Sequence, residues 1–80
     1  MKEQDLIDLG FEEKVIIARN TCHYYIYDLT EQLSLISSDN EEAKDNGWYV
    51  EFFDINDIRF TNVRELAKLI TILENAKIWN

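Results

Sequence analysis

Cys22 and His23 are the residues best suited to nucleophilic or metal chemistry, and each is the sole member of its type in the 80-residue chain. Neighbours in an extended segment point to opposite faces, so the two do not make a nucleophile–base pair. One cysteine forms neither an internal disulfide nor a cysteine-based zinc site. One histidine, with no serine and acid spaced around it, assembles no catalytic triad. There is no phosphate loop and no dinucleotide fingerprint, and nothing places two carboxylates around a cleft. The residues therefore predict no catalysis, no cofactor and no bound metal, and His23 reads as a surface or half-buried structural residue.

The carboxylates carry more information. From Asp28 to Asp57 there are nine acids (Asp28, Glu31, Asp39, Glu41, Glu42, Asp45, Glu51, Asp54, Asp57) and one base, Lys44. Nine minus one accounts for the whole net charge of -8; outside the window seven acids meet seven bases. A negative middle between neutral ends suits a partner with a basic surface. Calcium is a poor reading of Asp39, Glu41, Glu42 and Asp45, or of Asp54 to Asp57. An EF-hand loop needs acids at alternate positions, a central glycine and a distal glutamate. Two readings of the acids remain: they mimic phosphates and enter a basic channel on another protein, or they are solubility charge.

An aromatic strand lies beside these acids. Alternation along Trp48-Tyr49-Val50-Glu51-Phe52-Phe53 sends Trp48, Val50 and Phe52 to one face and Tyr49, Glu51 and Phe53 to the other. If one face meets a helix, the other shows Tyr49 and Phe53 around Glu51, an interface patch unless Leu6, Ile7 and Leu9 cover it. Tyr25 and Tyr27 share one face of their own strand and could extend it. Arg59, Arg64, Lys68 and Lys77 could contact RNA or DNA, but are more simply read as a solvated helix face with a dipole-friendly lysine at its end. Trp79 must either fold back on the core or meet a partner, and self-association is one such outcome.

The elements that position these groups follow from periodicity. Asp5 to Leu9 reads as a short helix closed by Gly10. Lys14–Ala18, Cys22–Leu29, Leu33–Ser37 and Trp48–Asp54 read as strands, with Ile58–Phe60 a short edge. Residues 38–46 read as a polar hairpin loop ending in the Asn46-Gly47 turn. Asn62 with Glu65 three residues on signals a helix start. Val63, Leu66, Ala67, Leu69, Ile70 and Leu73 then form its apolar arc, opposite Arg64, Lys68, Thr71 and Asn75. Short connections imply antiparallel neighbours. The expected fold is α+β: an antiparallel β-meander of four to five strands, with a short N-terminal helix and a longer C-terminal helix packed on one sheet face.

Eighty residues make one domain, 1–80, which buries only roughly 60–65% of its unfolded surface; abundant aromatics help so small a core. The lone cysteine favours a reducing compartment. The N-terminus lacks a signal-peptide core, and no apolar run approaches the ~20 residues needed to span a bilayer. A cytoplasmic protein is expected, with neither membrane nor nucleic acid as a direct partner, since both are anionic.

Leu9-Gly10-Phe11-Glu12, Asn46-Gly47-Trp48-Tyr49-Val50-Glu51, Ile58-Arg59-Phe60-Thr61 and the Glu65-Leu66, Leu69-Ile70, Ile72-Leu73-Glu74 series together resemble a group of short acidic, uncharacterised bacteriophage and prophage proteins. The likeness runs from about Leu6 to Lys77 and its motifs are structural. Small acidic phage proteins often look like inhibitors of host defence, anti-CRISPR proteins among them. The resemblance implies a non-catalytic inhibitor, in the host cell, of a bacterial nucleic-acid-handling effector such as an RNA-guided nuclease. Asp39, Glu41, Glu42, Asp45, Glu51, Asp54 and Asp57 would meet the partner's basic groups, with Tyr49 and Phe53 as anchors. The alternative is a self-associating structural or housekeeping phage module whose acids serve solubility alone.

Overall fold

The computed structural model describes residues 1–16 and 22–78. Along the chain these form α1 (Glu3–Asp8), β1 (Glu12–Val15), β2 (His23–Asp28), β3 (Ser34–Ser37), α2 (Asn40–Asn46), β4 (Val50–Phe52), β5 (Ile55–Phe60) and α3 (Val63–Ala76). The strands make one antiparallel sheet in the order β1-β2-β3-β4-β5, the expected meander. Trp79 and the end of the first expected strand lie outside the described residues.

Local chemistry explains the helix ends. Asp5 accepts the backbone N–H of Lys2 at 2.8 Å and holds the first turn of α1. At its C-terminus, Gly10 N–H donates to the Ile7 carbonyl and Phe11 N–H to the Leu6 carbonyl, both at 3.0 Å. This double closure needs a left-handed residue, and Gly10 supplies it at φ 97°. Asn62 caps α3 by accepting from the N–H groups of Arg64 and Glu65.

One expectation fails between β3 and β4. Residues 38–46 are not a hairpin loop; most of them form α2. Asp39 accepts the Glu42 N–H at 2.7 Å, and Gly47 ends the helix at φ 76°. Clustered acids in the first turn favour this helix, because they face its positive N-terminal end.

The core lies on one sheet face. Leu6 of α1 and Leu66 and Ile70 of α3 pack with Phe11, Tyr25, Leu29, Leu35 and Val50. Leu6, Leu35 and Leu66 are fully buried, each contributing roughly 1.5–3 kcal/mol relative to exposure. Both long-range helices therefore cover the same face, and α1 does not cover the second one. The register sets Glu12, Lys14, Tyr24, Ile26, Ile36, Glu51 and Arg59 on that second face. The expected apolar arc of α3 is present: Leu66 and Ile70 are buried, Val63, Ala67, Leu69 and Leu73 half-buried, and Arg64, Lys68, Thr71 and Asn75 exposed.

The edge strand β5 is irregular. Glu51 pairs with Arg59, but the next β4 residue, Phe52, pairs with Ile55. Asn56, Asp57 and Ile58 therefore bulge away from β4. A bulge carrying a charge discourages strand addition at an open edge.

Candidate functional site

The topology divides the acidic segment that appears continuous in the sequence. Asp39, Glu41, Glu42 and Asp45 belong to α2 and its cap, at the sheet end where β3 stops and β4 starts. Glu31, in the β2–β3 turn, and Asp54, in the β4–β5 turn, lie at the opposite end. The two groups are separated by the length of β3 and β4, about 10–13 Å for four and three residues at ~3.3 Å each. The expected single acidic patch is thus two.

The α2 group is partly engaged. Asp39 is the helix cap, and Glu42 accepts from Asn46 at 2.9 Å and from the Tyr49 hydroxyl at 3.3 Å. Tyr49 is buried, so it is not an exposed anchor. Burial raises its hydroxyl pKa, and Glu42 adds to the rise, while Arg59 opposes it. The Arg59 guanidinium stacks 3.7 Å from the Tyr49 ring centroid and donates to Glu51 at 3.3 Å. Cross-strand pairing of Glu51 with Arg59 makes this arrangement and occupies Glu51 as well.

The turn end differs. Phe53 is 53% exposed, with Ile55 and Ile58 also largely open. A shallow groove there is lined by Ile26, Glu31, Gln32, Leu33, Ser34, Phe53 and Asp54. The backbone holds it firmly, since Phe53 N–H donates to the Ser34 carbonyl at 2.9 Å and links the two turns. Leu29 and Thr30 N–H groups both donate to the Leu33 carbonyl, while the Thr30 hydroxyl accepts from the N–H groups of Gln32 and Leu33. Among the described residues, no ion pair involves Glu31, Asp54 or Asp57. An exposed aromatic bordered by unneutralised carboxylates can take a lysine or arginine side chain, through ring and carboxylates together.

A second constellation was hidden in the sequence because its members are far apart. Glu3 from α1, Glu13 from β1, and His23 and Tyr25 from β2 converge. Glu3 Oε2 lies 2.6 Å from His23 Nε2 and accepts the Tyr25 hydroxyl at 2.6 Å. Glu13 Oε1 is 3.4 Å from the same hydroxyl. The hydrogen bonds from Tyr25 and His23 hold the Glu3 pKa below the usual carboxylate value. Burial, reinforced by Glu3, pushes the Tyr25 hydroxyl well above the ordinary tyrosine range. Trp48 packs against both rings, with centroids 6.0 Å from His23 and 5.7 Å from Tyr25. The one available signal was positional: Glu13 and Tyr25 are cross-strand partners, and that requires knowing the register.

Comparison with family models, curated proteins and solved structures finds no match for this chain. Among the described residues, no helix is long and apolar enough to cross a membrane.

Proposed function

We propose that this chain is a non-catalytic binding protein that docks on a basic protein surface through its turn end. Phe53 is the apolar anchor, and Glu31, Asp54 and Asp57 are the anionic rim. Asp39, Glu41, Glu42 and Asp45 contribute long-range attraction from the other end. The partner class that suits this charge is a bacterial nucleic-acid-handling effector, an RNA-guided nuclease being the form implied by the phage-protein resemblance, and docking would inhibit it.

The observation that carries the reading is the coincidence of exposed Phe53 with acids that have no internal counter-charge. Such an encounter is fast and salt-sensitive. The test uses purified RNA-guided nucleases, with and without guide RNA, titrated with the wild-type chain, with a Glu31→Lys/Asp54→Lys/Asp57→Lys triple variant and with Phe53→Ala. Salt-dependent inhibition that both variants lose, with melting little changed, supports the proposal. Undiminished inhibition by the triple variant, or no binding to any effector at low salt, refutes it.

Self-association is the second reading, favoured by the exposed side chains of Ile55 and Ile58, which can pack against a second copy without strand pairing. It predicts a dimer in sedimentation that the substitutions Ile55→Lys and Ile58→Lys abolish; a monomer at high concentration dismisses it.

A further inference from the structure

The Glu3–Glu13–His23 constellation goes beyond this reading, and we propose that it is a binding site for a divalent transition-metal ion, with Zn²⁺ the best fit. One ligand atom from each of these three side chains lies within 4.8 Å of the other two. Ligands bonded to zinc at about 2.0–2.2 Å stand about 3.4 Å apart, so the 2.6 Å Glu3–His23 contact opens by about 0.8 Å, giving up the proton between the two atoms, to admit the ion.

The hydrogen-bond inventory shows why a cation is wanted there. Tyr25 has one O–H, yet two carboxylates aim at it, at 2.6 and 3.4 Å. A single proton cannot satisfy both. The like-charged pair therefore keeps surplus acceptor capacity, with an imidazole nitrogen at its edge. Two carboxylates and a neutral imidazole balance a doubly charged ion. The nitrogen ligand selects zinc and its transition-metal neighbours over magnesium or calcium, which prefer all-oxygen shells.

The surroundings are those of a prepared ligand set. His23 is fixed by ring contacts with Tyr25, at 5.8 Å and nearly perpendicular, and with Trp48. Its backbone N–H donates to Asn40 Oδ1 at 2.8 Å, which ties the start of β2 to α2. Tyr25, 2% exposed, remains as the outer hydroxyl that orients Glu3. The His23 and Glu3 side chains are 26% and 39% exposed, so an ion can enter and a water can complete its coordination. The bound ion would tie α1, β1 and β2 together.

The test is calorimetric titration of the full chain with ZnCl₂ in a non-coordinating buffer, alongside NMR of the histidine ring. One equivalent should bind with micromolar affinity and shift the His23 ring signals. Glu13→Gln and His23→Gln should each weaken binding by about tenfold or more. Glu13→Gln is the decisive variant, because Glu13 is exposed and its loss leaves the core intact. Cys22→Ser should bind as the wild type does. No saturable binding below about 1 mM, wild-type affinity in either the Glu13 or the His23 variant, or loss of binding in a Cys22→Ser protein that keeps the wild-type circular dichroism would each overturn the assignment.

Discussion

Tyr25→Phe isolates the contribution of one hydroxyl. The ring is 2% exposed and sits in the core, so phenylalanine keeps the packing and deletes only the donor. The bond lost is charge-assisted and short, 2.6 Å to Glu3; such bonds contribute about 1.5–3 kcal/mol. Glu3 retains His23 on the same oxygen, and its side chain is 39% exposed, so water can replace part of the loss. The lower end, about 1.5 kcal/mol, is therefore expected. In a domain of this size that lowers Tm by about 6–12 °C. The pH dependence gives the sharper signature. The raised Tyr25 pKa, caused by burial and then by Glu3, contributes stability that is complete below the unfolded tyrosine value of about 10. That contribution drains away as pH rises beyond it. The lowered Glu3 pKa, caused first by Tyr25 and then by His23, contributes stability present above about 4.3 and lost as pH falls through the folded value. The gap between wild type and variant should thus be widest between about pH 5 and pH 9 and narrow at both extremes. Urea melts by circular dichroism across that range measure it. A gap that is flat with pH, or below about 0.5 kcal/mol at neutrality, refutes the proposed network.

Asp39→Ala removes the cap of α2 and should cost about 1 kcal/mol, read as a Tm drop with loss of amide protection over residues 40–46. Gly47 sits at φ 76°, ψ 173°, a region almost confined to glycine, and a Cβ there meets nothing within 4 Å. Gly47→Ala should therefore cost about 1–3 kcal/mol through backbone strain alone, and an unchanged denaturation midpoint would contradict this. Leu66→Ala empties a fully buried position shared by α3 and the sheet; a loss of about 2–5 kcal/mol should show as a lower urea midpoint, with partial unfolding near 37 °C. Tyr27 and Tyr49 also have raised pKa values, each chiefly from burial. Wild-type stability should consequently fall above about pH 10 as the unfolded chain ionises its tyrosines, which absorbance-monitored alkaline unfolding can follow.

The acidic segment shows how far sequence reading reached. Alternation correctly separated Val50 and Phe52 from Glu51 within β4, while Trp48, Tyr49, Phe53 and Asp54, expected in the same strand, lie outside it. It left open what would cover each face. Tyr49 became buried, under Arg59 and beside Glu42, because a helix stands where a loop was expected. That helix had a local signal, Asp39 followed three residues later by Glu42 and closed by Gly47. The density of charge obscured it.

By itself the sequence determined what short-range physics controls. This covers the left-handed stop at Gly10, the cap at Asn62, the apolar arc of α3, the two-residue period of the strands and the antiparallel meander that short connections enforce. Tertiary structure alone decided that α1 joins α3 on one face. It also split the acidic segment, with Asp39, Glu41, Glu42 and Asp45 at one end of the sheet and Glu31 and Asp54 at the other, and it brought Glu3, Glu13, His23 and Tyr25 to a single point. Those outcomes depend on strand register and helix docking, which are contacts between residues remote in the chain. No local preference encodes them; they follow from burying Leu6, Leu35 and Leu66 together.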